Sequence, residues 1–283
     1  MTKQAQTSAA RIDRSFLQAY LRHQLWHLTA HKLRVVTTTE PDTFNEAYLK
    51  WTGMGYTQAP FTPEHNRETL SNRNFIGLTL VSGAEVIATL AGRVVQVAQS
   101  DIKLSDALRQ GLLFSASYGL VESDWVPDAG PEVGNQTLGY FGGGWVHPNW
   151  RGAAFGGLLL RVALIQTITR FPAITNMFGM VTDPVMKSGM VMNPAGWGCT
   201  DAELVCKGFL SLTGKFEHLY GVWSSVEDLL AMYKDEHDRY EAGGRPAWLP
   251  GDTPILPALW GGTAEPSAKP STESTPDKER PSR

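Results

Sequence analysis

The sequence predicts an α/β protein of the three-layer α+β kind, in which a mixed, mostly antiparallel twisted sheet is flanked by helices. Two patterns in its 283 residues support this class. A strand rich in glycine and aromatic residues, an apolar helix over 158–168 and an apolar strand over 173–182 form a crossover, which joins parallel strands. β-Branched runs over 75–81 and 85–97 flank a Ser-Gly-Ala turn and predict an antiparallel hairpin. We therefore expect a central parallel pair among antiparallel neighbours.

Composition and charge exclude several classes of function. The chain carries 25 Lys and Arg residues against 28 Asp and Glu, a net charge of -3, and no basic block stands out. A nucleic-acid partner is therefore not expected. The two cysteines, Cys199 and Cys206, lack a metal-binding spacing or a disulfide framework, which indicates a reduced, cytoplasmic setting. No long apolar run occurs, so neither a signal peptide nor a membrane partner is expected.

The N-terminal part begins with a polar segment and continues as a helix. Residues 1–14 are expected to be disordered, and a helix is predicted over 15–32 with Ser15 near its cap. His23, His27 and His31 recur every four residues along this helix, a spacing at which two histidines can share a metal ion. Because the helix offers no carboxylate or thiol ligand nearby, we interpret this stripe as solvated and predict no metal.

The next segments follow the predicted fold until a long connection interrupts it. A β-branched run over 33–39 predicts the first strand, and Glu-Pro-Asp opens a helix over 43–51. Residues 99–138 form an insertion with a helix expected over 105–114 and an acidic, glycine-rich loop over 122–134. Connections of this length are commonly functional, disordered or lids. We interpret its acidic residues as a solvated loop.

The C-terminal third predicts a second antiparallel pair and a last helix. Apolar, β-branched runs over 202–212 and 216–223 flank a Thr-Gly-Lys turn. Ser224 or Ser225, followed three residues later by an acid, is a capping-box start for a helix that reaches about Tyr240.

One domain is therefore expected over 33–241, with 99–138 as its insertion. Four prolines and several large apolar residues predict an extended segment over 242–262, tied to the domain surface. The composition of 263–283 is Pro, Ser, Thr, Glu and Lys without large apolar residues, so this tail is expected to be disordered.

The segment 146–159, Val-His-Pro-Asn-Trp-Arg-Gly-Ala-Ala-Phe-Gly-Gly-Leu-Leu, carries the clearest chemical signal. Its small residues allow a backbone loop to approach a ligand closely, and the following helix start binds anions, phosphates above all. The segment resembles the signature motif of the GNAT acyltransferases, Arg/Gln-x-x-Gly/Ala-x-Gly/Ala, whose defining positions are filled by Arg151, Ala154 and Gly156. The alternative is a strand-turn-helix unit that binds no ligand.

The resemblance implies acetyl-CoA as acyl-donor co-substrate and an amine as acceptor. It implies that the parallel strands splay around the acyl-CoA, whose pyrophosphate lies on the helix start and whose pantetheine arm pairs with the preceding strand. It also leaves open a GNAT-like module that binds acyl-CoA in a regulatory or sensing role without transfer. The implied cofactor-binding residues are Trp145, Val146, Arg151, Gly152, Ala153, Ala154, Phe155, Gly156, Gly157 and Asp183.

The catalytic groups that the family implies are missing from their expected positions. The family commonly has a glutamate base near the position of Tyr140 and a tyrosine acid near that of Met192. The remaining candidates are Tyr140 and Ser188 as acid and His147 as base.

Three consecutive glycines, Gly142 to Gly144, would normally weaken the strand that carries them. They indicate either a bulge with close backbone approach or simply the space that bulky neighbours require.

Overall fold

The structure is a computed structural model, and it describes residues 14–30, 32–53, 58–62, 66, 69–114, 120–151, 155–210 and 214–244. Apart from Arg14, the predicted disordered N-terminus lies outside the described residues. The same holds for the predicted proline-rich segment and tail beyond residue 244.

Eight strands form one sheet, in which one central pair is parallel. Their bounds are β1 Leu33–Thr38, β2 Phe75–Ser82, β3 Glu85–Gln96, β4 Leu120–Trp125, β5 Thr137–Val146, β6 Asn176–Thr182, β7 Asp201–Leu210 and β8 Lys215–Ser225. The order across the sheet is β1-β2-β3-β5-β6-β8-β7-β4, and only β5 and β6 run parallel. The predicted mixed sheet, its two hairpins and its parallel crossover are confirmed.

Helices cover both faces of this sheet. Their bounds are α1 Leu17–Ala30, α2 Pro41–Thr52, α3 Leu104–Arg109, α4 Phe155–Arg170, α5 Asp183–Lys187 and α6 Val226–Glu241. α2 and α3 share a core with one face of β5. α4 packs against the sheet and contacts both α1 and α6, so it is buried around most of its circumference and its sequence is apolar on nearly every side. Among the described helices, none is long and apolar enough to cross a membrane.

Two expectations about the polar segments are wrong. The edge strand β4 pairs with β7 at Trp125 and Cys206, and it includes residues 122–125, which were predicted to begin an acidic loop. Charged side chains are common on edge strands, so composition alone did not distinguish the strand from a loop. His23 does not lie on a solvated stripe, because its ring stacks on His237 at 5.4 Å. The His27 side chain and His31 lie outside the described residues.

The glycine triplet forms a β-bulge in β5. Thr89 pairs with Trp145 and Ala91 pairs with Gly142, so β5 contains one more residue than β3 between these two pairs. Gly143 has a φ of +61°, a left-handed conformation that suits glycine. Of the two alternatives given for this triplet, the structure therefore has the bulge.

The parallel pair separates just before the bulge in β5. β5 and β6 are paired from Leu138 and Asn176 to Phe141 and Gly179, but β5 continues to residue 146 and β6 to residue 182. The two strands thus splay and leave backbone groups of both facing an opening in the sheet.

Replacement of Gly143 by alanine should destabilise the fold through backbone strain rather than through a clash. A Cβ at this position would lie 3.4 Å from the Phe44 ring and 3.5 Å from Ala91, which are ordinary contacts. The left-handed φ costs a residue with a side chain about 1–2 kcal/mol. Urea denaturation of Gly143→Ala should show a loss of unfolding free energy of this size.

Gly144→Ala is the matched control, since its φ is not positive and its Cβ would meet only Leu90 at 3.6 Å. We expect it to match the wild type to within about 0.5 kcal/mol. Equal losses in the two variants would show that the bulge does not require the conformation of Gly143.

Candidate functional site

A cleft of about 640 Å³ lies between α4 and the splayed ends of β5 and β6. Its walls are largely apolar and include side chains from α4, β6 and β8. Five of the sequence-predicted cofactor residues line it, namely Trp145, Val146, Arg151, Phe155 and Gly156. The cleft therefore lies beside the described residues of the motif. Its other three residues, Gly152, Ala153 and Ala154, lie outside the described part of the chain.

The mouth of the cleft is suited to an anion. Arg151 is exposed there, and its Nε donates to the Val146 carbonyl oxygen at 3.3 Å. The N-terminal amides of α4 have no intrahelical partner, and the helix dipole places partial positive charge at the same end. A Cβ built on Gly156 would meet its nearest neighbour, Met190 Sδ, only at 4.0 Å, so space for a ligand remains beside the first turn.

Gly157, the last of the predicted cofactor residues in this helix start, has a packing role in the structure. Its Cβ would lie 3.1 Å from the carbonyl oxygens of Ala195 and Gly196. Glycine here allows α4 to approach the turn that follows α5, and Gly157 itself does not line the cleft.

Two side chains that the sequence did not predict as site residues form hydrogen bonds with the bulge. Gln58 Oε1 accepts a hydrogen bond from the Gly143 N–H at 2.8 Å, and Thr89 Oγ1 donates to the Gly143 carbonyl oxygen at 2.9 Å. Both residues also line the cleft. Gln58 comes from a glycine- and proline-rich loop that no local pattern connects to β5, so only the folded chain reveals the contact.

Tyr140 lies on the opposite face of β5 from α4. Its side chain is fully buried, stacks on Phe61 at 5.4 Å and meets Phe114 edge-on at 4.7 Å. Tyr140 does not line the cleft, but its hydroxyl lies 2.8 Å from the position that a Cβ on Gly142 would occupy. The phenol therefore lies directly behind a residue of the cleft wall.

His147 is held outside the cleft by two neighbours. Its Nδ1 accepts from the Asn149 N–H at 3.2 Å, and its Nε2 lies 3.6 Å from Glu85 Oε1. Each ring nitrogen of His147 therefore has a polar neighbour that does not line the cleft. The proposed role of His147 as base stays a prediction.

Ser188 and Asp183 also lie beside the cleft rather than in it. Ser188 Oγ donates to the Val185 carbonyl oxygen at 2.6 Å and accepts from the Met190 N–H at 3.3 Å. Asp183 accepts from Lys187 Nζ at 2.8 Å, and this hydrogen bond lowers the pKa of the Asp183 carboxyl group. Their roles as acid and cofactor ligand stay predictions.

A buried ion pair, which the sequence did not predict, connects the elements that lie behind the cleft. Arg161 Nε lies 3.2 Å from Glu236 Oε2, and the side chains of both residues are at most 3% exposed. The two terminal nitrogens of Arg161 donate to the carbonyl oxygens of Gly196, at 2.7 Å, and of Pro194. Tyr20 donates to the same Glu236 oxygen at 2.9 Å. One guanidinium thus ties α4 to α6 and to the turn over 193–197, whose Trp197 lines the cleft.

Cys199 lines the cleft but is not a nucleophile at neutral pH. Burial raises the pKa of its thiol to about 12. Thiolate rather than thiol attacks an acyl group, and reactive cysteines have lowered pKa values. At pH 7.5 fewer than about one thiol in 10,000 would be ionised. An acyl-cysteine intermediate is therefore not favoured.

Three features define the architecture: the strand order, the central parallel pair that splays beside a bulge, and the helix that begins at the splay. This is the arrangement that the GNAT resemblance implied. Within the described residues, the predicted acyl-CoA motif lies at the opening between β5 and β6. The fold class that the resemblance implied is confirmed by this topology.

Solved acetyltransferase structures are similar to the chain at low sequence identity. Arabidopsis thaliana NAA60 in complex with acetyl-CoA is 13% identical, with a TM-score of 0.41, and the match covers 69% of this chain and 98% of that one. The spermidine/spermine N-acetyltransferase SpeG from Vibrio cholerae is 9% identical, with a TM-score of 0.40 and coverage of 71% and 98%. The ribosomal-protein-S5-alanine acetyltransferase from Vibrio fischeri is 14% identical, with a TM-score of 0.37 and coverage of 70% and 94%. No protein-family model and no curated protein matches the sequence.

Removal of the buried Arg161 guanidinium should lower the free energy of unfolding. In Arg161→Met, Glu236 keeps a buried charge without its partner, and removal of one member of a buried pair typically costs about 3–5 kcal/mol. Thermal and urea denaturation should both show this loss. The matched control is Lys187→Met, which breaks the pair with Asp183 at a lysine side chain that is 76% exposed, and it should cost about 0.5 kcal/mol or less. Comparable losses in both variants would contradict a special role for Arg161.

Proposed function

We propose that the chain is an acyl-CoA-dependent N-acetyltransferase, which transfers an acetyl group from acetyl-CoA directly to a primary amine of a small molecule or a peptide. The observation that carries this proposal is the apolar cleft between the splayed strands, with Arg151 and the start of α4 at its mouth. An apolar channel with a cationic mouth matches a ligand that has a long, largely uncharged arm and a pyrophosphate at one end.

The pyrophosphate would lie at the start of α4. There the free amides donate hydrogen bonds, the helix dipole favours negative charge, and the exposed Arg151 guanidinium adds a full positive charge. The open space beside Gly156 admits the phosphate groups to the helix backbone.

The pantetheine arm would pair with β5 beyond the bulge. Once β5 leaves β6 at Phe141, the strand has an edge that can accept an extended amide-bearing chain as an added strand. Because the splay opens at residues 141–144, the thioester would reach the sheet where Gln58 and Thr89 hold Gly143. Preorganised backbone amides at this point can stabilise the charge that develops on the thioester oxygen.

The acyl step is an attack by the amine on the thioester carbonyl. The nitrogen lone pair forms a C–N bond, the carbonyl oxygen takes up negative charge, and collapse breaks the C–S bond and releases the CoA thiolate. The proton lost by nitrogen ends on that thiolate or on solvent. A thiolate is a good leaving group because thiols have pKa values near about 8.5, and the neutral Cys199 thiol favours transfer without an acyl-enzyme.

No carboxylate or histidine lines the cleft among the described residues. Of the candidate catalytic groups, the Tyr140 hydroxyl lies behind Gly142 of the cleft wall, whereas His147 and Ser188 bond to their own neighbours. An acceptor that arrives as a neutral amine needs little help from a base. The sparse acid–base machinery also favours a second function, in which the module binds acyl-CoA in a regulatory role without transfer.

Binding of acetyl-CoA should weaken when the mouth of the cleft is filled or when its charge is reversed. The Cβ of Gly156→Leu meets no neighbour closer than 4.0 Å, so this variant should fold normally while its side chain occupies the cleft. Arg151→Glu places negative charge against the phosphates. Calorimetric titration should show acetyl-CoA affinity at least about tenfold weaker in both, about 1.4 kcal/mol.

Arg34→Glu is the matched charge control, since Arg34 is exposed on the edge strand β1 and does not line the cleft. Its affinity should equal that of the wild type. Wild-type affinity in Gly156→Leu would overturn the assignment of the cleft to acyl-CoA.

Turnover should depend on the acceptor's own pKa. At pH 7.5 the neutral fraction of an α-amino group exceeds that of a lysine side chain by about two orders of magnitude. A panel of peptides with free α-amino groups, lysine-like amines and weakly basic amines, assayed by thiol release from acetyl-CoA, should show faster transfer to the amines of lower pKa. Tight acetyl-CoA binding without turnover on any amine would instead support the regulatory module.

A further inference from the structure

Three potential metal ligands converge where α1 packs against α6. His237 and Glu241 are four residues apart on α6 and so share one face of that helix, while His23 faces them from α1. One ligand atom from each residue can be chosen so that all three lie within 4.8 Å of one another. His23 Nε2 already lies 3.2 Å from Glu241 Oε1.

The histidine nitrogens in this cluster are incompletely satisfied. Nδ1 of His23 and Nδ1 of His237 are both enclosed and have no hydrogen-bond partner among the described residues. His237 is only 9% exposed, with the Phe16 ring at 5.9 Å and the His23 ring at 5.4 Å. An enclosed polar atom without a partner costs about 1–3 kcal/mol. A cation that accepts the lone pair of His237 Nδ1 would offset that atom's part of this cost, whereas His23 would bind through Nε2, which already faces Glu241.

We propose that His23, His237 and Glu241 form a binding site for a divalent transition-metal ion, Zn²⁺ in particular. Two imidazoles and one carboxylate are ligands that Zn²⁺ prefers, whereas Mg²⁺ and Ca²⁺ prefer all-oxygen sites. The Glu241 side chain is 59% exposed, so a remaining coordination position faces solvent and is available to water.

Small movements would complete the coordination. Zn–N and Zn–O distances near 2.0–2.2 Å place tetrahedral ligand atoms about 3.3–3.5 Å apart. The His23–Glu241 distance of 3.2 Å already fits this geometry. The ligand atoms all lie within 4.8 Å of one another, so no separation needs to shorten by more than about 1.5 Å on metal binding. Glu241 is exposed and can follow the ion by rotation about its side-chain bonds.

The ion would link the first and last helices described and would act on stability rather than on acyl transfer. Leu229, which lines the cleft, is twelve residues from Glu241 along α6, or about 18 Å. A ligand that binds only the folded state stabilises it in proportion to the logarithm of its free concentration. Occupancy would therefore strengthen the contact of α1 with α6 without a change in the cleft.

The test uses the untagged full-length chain, stripped with chelator and titrated with ZnCl₂ by calorimetry. We expect one ion per chain and a rise in Tm, and Co²⁺ in place of Zn²⁺ should give the visible absorption of a tetrahedral or five-coordinate nitrogen–oxygen site. Glu241→Gln changes an exposed side chain, and His237→Phe keeps an aromatic ring beside Phe16. Each should weaken Zn²⁺ binding by at least about tenfold.

The matched control is His218→Gln, because His218 is a half-exposed histidine 3.9 Å from a carboxylate of Asp183, remote from α1 and α6. It should bind Zn²⁺ as the wild type does. Absence of stoichiometric binding to the wild type, or equal binding by wild type, Glu241→Gln and His237→Phe, would overturn the proposal. Circular dichroism of the metal-free variants checks that each is folded.

Discussion

The extra residue at Gly143 determines where the sheet opens. Two adjacent parallel strands normally continue their hydrogen bonds along their whole length, but β5 and β6 stop at Phe141 and Gly179. The bulge turns the backbone of β5 at that point, and the left-handed conformation of Gly143 allows the turn. Gln58 and Thr89 then hold both polar groups of this one residue. The cleft, its apolar walls and the free edge of β5 all depend on this local departure from a regular ladder.

The helical layer depends on a second constraint, which is the burial of the charged Arg161 side chain. Arg161 is buried within an otherwise apolar helix, and its guanidinium is satisfied by Glu236 and by the carbonyl oxygens of a turn. A buried charge requires such partners, so the orientations of α4, α6 and the turn are coupled. Because Trp197 on that turn lines the cleft, the ion pair also shapes the proposed ligand site.

The two proposed sites differ in how they are built. The cleft at the start of α4 combines apolar walls with helix amides and one arginine, an arrangement for a large anionic ligand with a hydrophobic arm. The cluster of His23, His237 and Glu241 is compact and offers nitrogen and oxygen ligands for a single ion. The first site concerns acyl transfer and the second the docking of α1, and each can be tested without the other.

The sequence by itself determined most of the secondary structure and the position of the proposed anion site. Alternation of apolar residues, turn glycines such as Gly83 and Gly214, and the cap at Ser225 are local signals, and the structure agrees with them. The Arg151-to-Gly156 motif likewise placed a ligand site at a strand-to-helix turn, because the relevant backbone groups are consecutive in the chain. The edge strand β4 escaped prediction because its polar composition is also typical of loops.

Only the tertiary structure decided which distant side chains meet. Gln58 and Gly143 are 85 residues apart, Arg161 and Glu236 are 75, and no periodicity within one element encodes such pairs. His23 was interpreted as solvated because its own helix holds no acid nearby, whereas its carboxylate partner comes from α6. Long-range contacts of this kind form when helices and strands pack, so they follow from the whole chain rather than from any local segment.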